Sequence, residues 1–447
     1  MSEPQAIPHS VEDLKQAVQQ VLDRAAGQGA SAAEAAVSSD VGLSVTARLG
    51  EVETLEYHKD QGVGVTVYFG KRKGSASTSD LRPEAIDEAV QAACRIARYT
   101  AEDGCSGLAD AELMAYDYPD LDLDHPWDIN AERAIELAMN TEAAAQAVDA
   151  RITNSDGASV NSFRGASVYG NSHGFIGGYA GTRHSLSCTV IGEQDGGMQR
   201  DYWYSVSRQP GELDSAESVG RLAAERTLRR LGGRKLSTRQ APVLFAADIA
   251  RSLIGHFVGG VRGSALYRKA SFLLDHLGEQ IFPENIVMHE LPHIPGALGS
   301  APFDSEGVRT TAKDLVRDGI LKSYVLDHYS ACKLGMANTG NAGGVRNLIV
   351  EPTAGDLDSL LKEMGTGLFV TELIGHGINM VTGDYSRGAS GFWVENGALA
   401  YPVEEITIAG NLRNIFRGIR AVGSDVDLRG SIRTGSILVD QMMIAGE

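Results

Sequence analysis

From Ser10 onward, apolar residues fall at helical spacing. Leu14, Val18, Val21, Leu22 and Ala25 form one stripe, with Ser10 placed to cap the helix and Gly27 to stop it. The period then drops to two: Val41, Leu43, Val45 and Ala47 alternate with polar residues, as do Val63, Val65, Val67 and Phe69. A second helix is predicted from Pro83, burying Ile86, Val90 and Cys94. After an aspartate-rich stretch, Tyr116 to Asp128, which reads as a solvated connector, the pattern returns. A third helix is predicted over 130–148 and glycine-rich strands over 151–207. A fourth helix carries Asp214 and Glu217 at capping-box spacing, buries Val219, Leu222 and Leu228, and ends at Gly232-Gly233.

The first half therefore predicts helix–strands–helix twice, over 10–98 and 130–231. An internal duplication is compatible with a faint echo in the residues: Ser44 to Gly50 resembles Ser159 to Gly165, and Arg72 to Ser77 resembles Arg183 to Ser187. Arg226, Arg229, Arg230, Arg234, Lys235 and Arg239 make a basic cluster at the end of the fourth helix, where cations suit the helix dipole. It predicts a solvated helix end and a boundary near residue 236. Beyond it the pattern gives a helix from Asp248 to about Val258, a short one from Asp356 to Met364, and otherwise β-like, glycine-punctuated sequence. Helices and strands are grouped, not regularly alternating. The expected class is α+β: an N-terminal α/β domain (1–235) and a C-terminal β-rich domain, barrel- or sandwich-like (236–447).

Composition narrows the function. The 447 residues carry 40 Lys and Arg against 58 Asp and Glu, a net charge of −18. Such a surface repels nucleic-acid backbones and anionic membranes, so neither is an expected partner. Cys94, Cys105, Cys188 and Cys332 form no CxxC pair, which speaks against a zinc knuckle or a disulfide scaffold. The start, Met1 to Gln5, has no basic or apolar leader pattern, and no uncharged apolar run is long enough to span a bilayer. A soluble cytoplasmic protein is expected.

Four motifs carry candidate chemistry. Gly27 to Ala32 fits a dinucleotide GxGxxA pattern but follows a helix, where a stop and turn are expected. Gly170-Asn171-Ser172-His173-Gly174 fits GxSxG, yet Phe175 to Gly181 after it is a poor helix, so a turn between strands is expected. His289-Glu290-Leu291-Pro292-His293 fits HExxH, but Pro292 is internal and predicts a loop. The most informative stretch is Asp248 to His256. A His-Glu-x-x-x-His metal motif laid on it puts Arg251 at the first histidine and Ser252 at the glutamate, and keeps only His256. A guanidinium cannot ligate a metal, and a serine cannot serve as a carboxylate base.

In its C-terminal half the chain resembles the PmbA (TldE) branch of the TldD/PmbA family, once called modulators of DNA gyrase. The segments are Tyr267-Arg268-Lys269, Pro302 to Thr310, Asp318 to Leu321, Thr339 to Gly344, Thr382 to Gly388, Val394 to Gly397 and Ile406 to Leu412. Asn154, Arg164, Asn171 to Gly174 and Arg183 to Ser185 extend the resemblance into the first half. It implies a dimer with a TldD-like subunit, together a metalloprotease that trims unstructured peptides, with zinc held by that partner. A cysteine ligand of the partner falls near Thr434 here. On this resemblance the chain itself has no catalytic residue and no metal. His256, Asn341, Gly343 and Gly344 are its candidates for lining a cleft for extended peptide, since bare glycine backbone admits a close strand. Two competing functions stay open. One is a self-sufficient zinc peptidase using His289, Glu290 and His293, or His256 with a distant ligand such as His376. The other is a non-enzymatic, homodimeric peptide-binding scaffold.

Overall fold

A computed structural model describes residues 7–446; the start, Met1 to Gln5, on which the expectation of no leader pattern falls, lies outside them. Ser10 caps α1 (Val11–Gly27) through a reciprocal box with Asp13, whose carboxylate accepts the Ser10 backbone N–H at 2.8 Å. Three antiparallel strands follow, β1 (Ala32–Arg48), β2 (Glu51–Phe69) and β3 (Arg72–Thr78), then α2 (Pro83–Tyr99) with proline in its first turn. The second unit repeats the order: α3 (Ala131–Gln146), β4 (Ile152–Asn171), β5 (Ile176–Gln194), β6 (Gly197–Ser207) and α4 (Ala216–Arg230).

One sheet joins the two units in the order β3-β2-β1-β4-β5-β6, with β1 and β4 pairing antiparallel at its centre. Leu14, Val18 and Val90 pack on Val37, Val65 and Val168 in the first unit; Ala138 and Ala223 pack on Val160 and Val190 in the second. All four helices cover one face. α3 and α4 approach so closely that a Cβ on Gly220 would lie 2.1 Å from the Thr141 carbonyl. The Ser44 and Ser159 segments fall on β1 and β4. The Arg72 and Arg183 segments fall on β3 and β5, which hold different places in the two units.

The C-terminal domain consists of β7 (Arg239–Phe245), α5 (Ala247–Gly260), α6 (Gly263–Tyr267), β8 (Met288–Glu290), β9 (Lys313–Arg317), β10 (Ile320–Leu321), α7 (His328–Leu334), β11 (Leu348–Val350), α8 (Leu357–Met364), β12 (Gly367–Ile374), β13 (Asp384–Glu395), β14 (Ala398–Asn411), α9 (Leu412–Arg417), β15 (Ile419–Val422), β16 (Ile432–Arg433) and β17 (Ile437–Ala445). Strands β14-β13-β12-β7-β17 form a sheet, and β14 also pairs with β17. The ring closes into a five-stranded barrel, the first of the two expected forms, and removes most free edges. A second sheet, β10-β9-β8-β11-β16, shares its core. Phe257, Phe282 and Phe416 stack within that core, with centroids 4.9 Å apart for Phe282 and Phe416.

Three sequence expectations need correction. The cap of α4 is Ser215, accepting from the Ser218 N–H, and the buried face is Val219, Gly220, Ala223, Ala224 and Thr227; Leu222 and Leu228 are only half-buried. The basic cluster is only in part a solvated helix end: Arg229, Arg234 and Lys235 are exposed, but Arg226, Arg230 and Arg239 are half-buried. Arg230 meets Asp201 and Glu372, Arg226 meets Asp201 and Asp248, and Arg229 lies over Phe392, so the cluster stitches the two domains together. The cysteines do include a bridge: Cys105, in the loop after α2, is joined to Cys332 on α7, 227 residues away. Partners so distant leave no spacing signal. In the connector, Asp117, Asp120, Asp122 and Asp128 are exposed as expected, while Leu121 and Leu123 are buried. Among the described residues no helix is long and apolar enough to cross a membrane.

Candidate functional site

The uncapped N-terminus of α5 follows β7 directly, and Ala250, Leu253, Ile254 and Phe257 fix the helix in the core. That leaves Arg251, Ser252 and His256 on its outer side. Arg251 donates to the Tyr204 hydroxyl on β6 at 3.0 Å and stands 3.8 Å from Asp427. Arg429 closes the same corner, pairing with Asp427 at 2.9 Å and stacking over Trp203 and Tyr204. Arg251 is thus a strut between the domains.

Ser252 and His256 differ. The Ser252 Oγ and the His256 Nε2 are buried without a hydrogen-bond partner, and so are the Tyr385 hydroxyl and the Arg387 Nε. Tyr385 and Arg387 come from β13, and the Tyr385 ring stands edge-on to the imidazole at 5.9 Å. Burial, followed by the nearby Arg387 and His376 charges, brings the His256 pKa down to about 4. The imidazole is therefore neutral at pH 7. Thr434 is buried, and its hydroxyl donates to the Gly435 carbonyl at 3.1 Å. A zinc ion does not suit this donor set: one neutral imidazole among the hydroxyls of Ser252, Tyr385 and Thr434 and cationic guanidinium groups is a single good ligand where a catalytic zinc takes three.

The HExxH stretch is not helical. His289 and Glu290 alternate on β8, so their side chains diverge. His289 faces Glu351, His293 bonds Thr310, and Glu290 is buried, accepting from Asn341 Nδ2 and the Arg346 N–H, with the Lys313 ammonium 3.4 Å away. Among the described residues no group of three or more His, Cys, Asp or Glu is gathered to hold a metal. The GxSxG stretch is the β4–β5 turn, and Gly27 to Ala32 is the end of α1 and a turn, both as expected.

Of the cleft candidates, Asn341 is buried and occupied with Glu290. Gly343 is exposed, with φ +91°, and a Cβ there would lie 2.5 Å from the Ser305 hydroxyl; Gly344 has φ +110° and open space beside it. His376 is exposed and within electrostatic range of His256. Tyr385 and Arg387 lie inside a segment that carried the family resemblance, but pattern alone gave them no role.

The PmbA/TldA metallopeptidase domain 1 matches residues 33–97, the central domain 124–231 and the C-terminal domain 238–446. The Metalloprotease PmbA of Escherichia coli O157:H7 is 52% identical over 97% of this chain and 96% of its own. The chain belongs to the PmbA/TldD family, on its PmbA branch. The Metalloprotease PmbA homolog of Haemophilus influenzae is 51% identical over the same share of each chain. The crystal structure of a protein from Bacteroides thetaiotaomicron described as a modulator of DNA gyrase superposes with TM-score 0.92 at 30% identity, covering 97% of this chain and 99% of the other. TldE from Thermococcus kodakarensis shares the PmbA/TldD fold with TM-score 0.82 at 20% identity, covering 96% of this chain and 100% of the other.

Proposed function

We propose that this chain is the metal-free subunit of a TldD-type metalloprotease of the cytoplasm, which processes or degrades unstructured peptides, and that it completes the peptide cleft. Its partner would be a TldD-like chain carrying the zinc. The observation that supports this most is the commitment of Arg251. At the place of a first metal-binding histidine stands a permanent cation, and that cation is used to hold α5 against Tyr204 and Asp427. Ser252 follows it where a base would need a carboxylate.

The exposed Gly343 and the half-buried Gly344 suit the cleft role, because an extended backbone can approach them closely. Valine at either position would also strain a backbone with positive φ, so replacing Ser305 beside Gly343 is the cleaner probe. The decisive experiment is elemental analysis with hydrolysis of unstructured peptide, for the chain alone and mixed with a TldD-like subunit. Activity is expected only in the mixture, with zinc following the partner. Stoichiometric zinc and peptidase activity in the chain alone would overturn the proposal.

A further inference from the structure

The face of the N-terminal sheet away from the helices carries a recess of about 580 Å3, bordered by the glycine loop where Gly343 meets Ser305 and Arg346. Its size is in the usual range for a ligand pocket. The strand register builds its floor. Gly64 on β2 faces Ser77 on β3 and Ala36 on β1, and Ala36 faces Tyr169 on β4. Two residues along, Gly62 faces Ser38, Ser38 faces Ser167, and Ser167 faces Tyr179 on β5. Residues two apart share a face, so both rows point away from Val37, Val63 and Val65, which pack under the helices. A Cβ on Gly62 or Gly64 would meet nothing nearer than 3.8 Å, so packing does not demand bare positions there.

The C-terminal domain supplies the other wall with Phe303, Asp304, Ser305 and Arg346. Phe303 stands edge-on to Tyr179 at 5.8 Å. Arg346 is the cation of the lining, and its Nε is buried with no hydrogen-bond partner. Asp304 is the carboxylate of the lining and feels the Arg346 charge, but its oxygens already accept the backbone N–H groups of Glu306, Val308 and Ala342. A guanidinium offers five donors in a planar fork suited to a carboxylate.

The floor's backbone groups are used in the sheet ladder, so an occupant cannot join it as another strand. Recognition falls to side chains: the hydroxyls of Ser38, Ser77 and Ser167 and the fork of Arg346. Four strands at ~4.8 Å spacing give a trough ~14 Å across, the length of about four extended residues. We propose that this recess binds a short extended peptide segment whose carboxylate pairs with Arg346. The site adjoins the Gly343 loop through Ser305 and Arg346 and rests on the peptide-cleft reading, but it lies wholly in this chain, so peptide binding by the chain alone can fail while zinc and activity still follow a TldD-like partner.

The test is fluorescence anisotropy on the full chain alone, with a labelled tetrapeptide of alanine and serine in three forms: free C-terminal carboxylate, C-terminal amide, and amide with one internal glutamate. Saturable binding of a carboxylate-bearing form is expected, with the plain amide at least tenfold weaker. Preference for the free acid assigns a chain terminus; equal binding of the glutamate form assigns acidic side chains as well. Arg346→Gln, which keeps the backbone N–H to Glu290, should weaken binding tenfold or more, and Ala36→Trp should abolish it by filling the trough. Both variants should melt like the parent. Absence of binding by all three probes, equal binding of the plain amide, or binding that survives both substitutions overturns the proposal. So does an Ala36→Trp variant that changes the oligomeric state of a chain binding no probe.

Discussion

The Asn341 side-chain amide lies 3.0 Å from both carboxylate oxygens of Glu290. Glu290 is buried and also accepts the Arg346 N–H at 2.5 Å. A carboxylate held this way is a fixture of the loop that carries Gly343 and Gly344, and no general base.

Asn341→Ala should therefore cost stability, not metal. Hydrogen bonds to a charged group are worth roughly 1.5–3 kcal/mol, and this substitution leaves the carboxylate short of its donor. Urea unfolding should show a lower midpoint with an unchanged slope. A loss under about 0.5 kcal/mol would show that the amide is not needed there.

His256 predicts loss of stability in acid. In the unfolded chain its imidazole takes a proton near pH 6.5; in the folded chain burial, Arg387 and His376 delay this to about 4. The contribution is whole above 6.5 and is lost as pH falls through 4. The groups facing it are Arg387, His376 and the Tyr385 ring. His256→Gln should flatten the decline in melting temperature between pH 7 and 4; an unchanged decline would mean that His256 does not govern it.

Glu306 works in the opposite direction. Burial, with Asp304, Asp327 and Glu34 nearby, pushes its pKa up to about 8, against the pull of the His328 backbone N–H. The folded chain holds this proton where the unfolded chain has released it, so the contribution is whole below about 4.5 and is lost as pH rises through 8. Glu306→Gln can still accept from His328. It should be more stable than the parent at pH 8.5, with the gap closing at pH 5; a gap independent of pH would contradict this.

The Cys105–Cys332 bridge closes a long loop, and Cys105→Ser should cost about 2–5 kcal/mol under oxidising conditions. Reductant should cost the parent the same amount and the variant nothing further. Cytosolic thiols are normally kept reduced, so thiol labelling in intact cells reports directly on the compartment. Equal melting of parent and variant in oxidising buffer would remove the bridge from the account of stability.

Much of this was written locally in the chain. Ser10 with Asp13 marked α1, Pro83 marked α2, and alternation at Val63 to Phe69 marked the part of β2 that pairs on both sides, with β1 and β3. The first ten residues of β2 gave no period because nearly all are exposed and half are charged. The roles of the arginines after Thr227 were invisible for a different reason: Asp201 comes from another strand of the same domain, and Glu372 and Phe392 meet them only after the domains dock. The same holds at the candidate site. Arg251, Ser252 and His256 share one helix and could be compared with a motif; Tyr385 and Arg387 arrive from a distant strand that no spacing rule connects to it.

The barrel seam sets an order of events. β7 lies between β12 and β17, so Val243 and Phe245 keep an unpaired edge until Ile437 to Val439 are available. A ribosome makes β7 early and β17 late, and meanwhile the half-built wall offers its edge to any neighbouring strand. A nick or early stop just before Ile437 would remove a stave, not a tail, and the nascent chain would remain sticky instead of merely shorter.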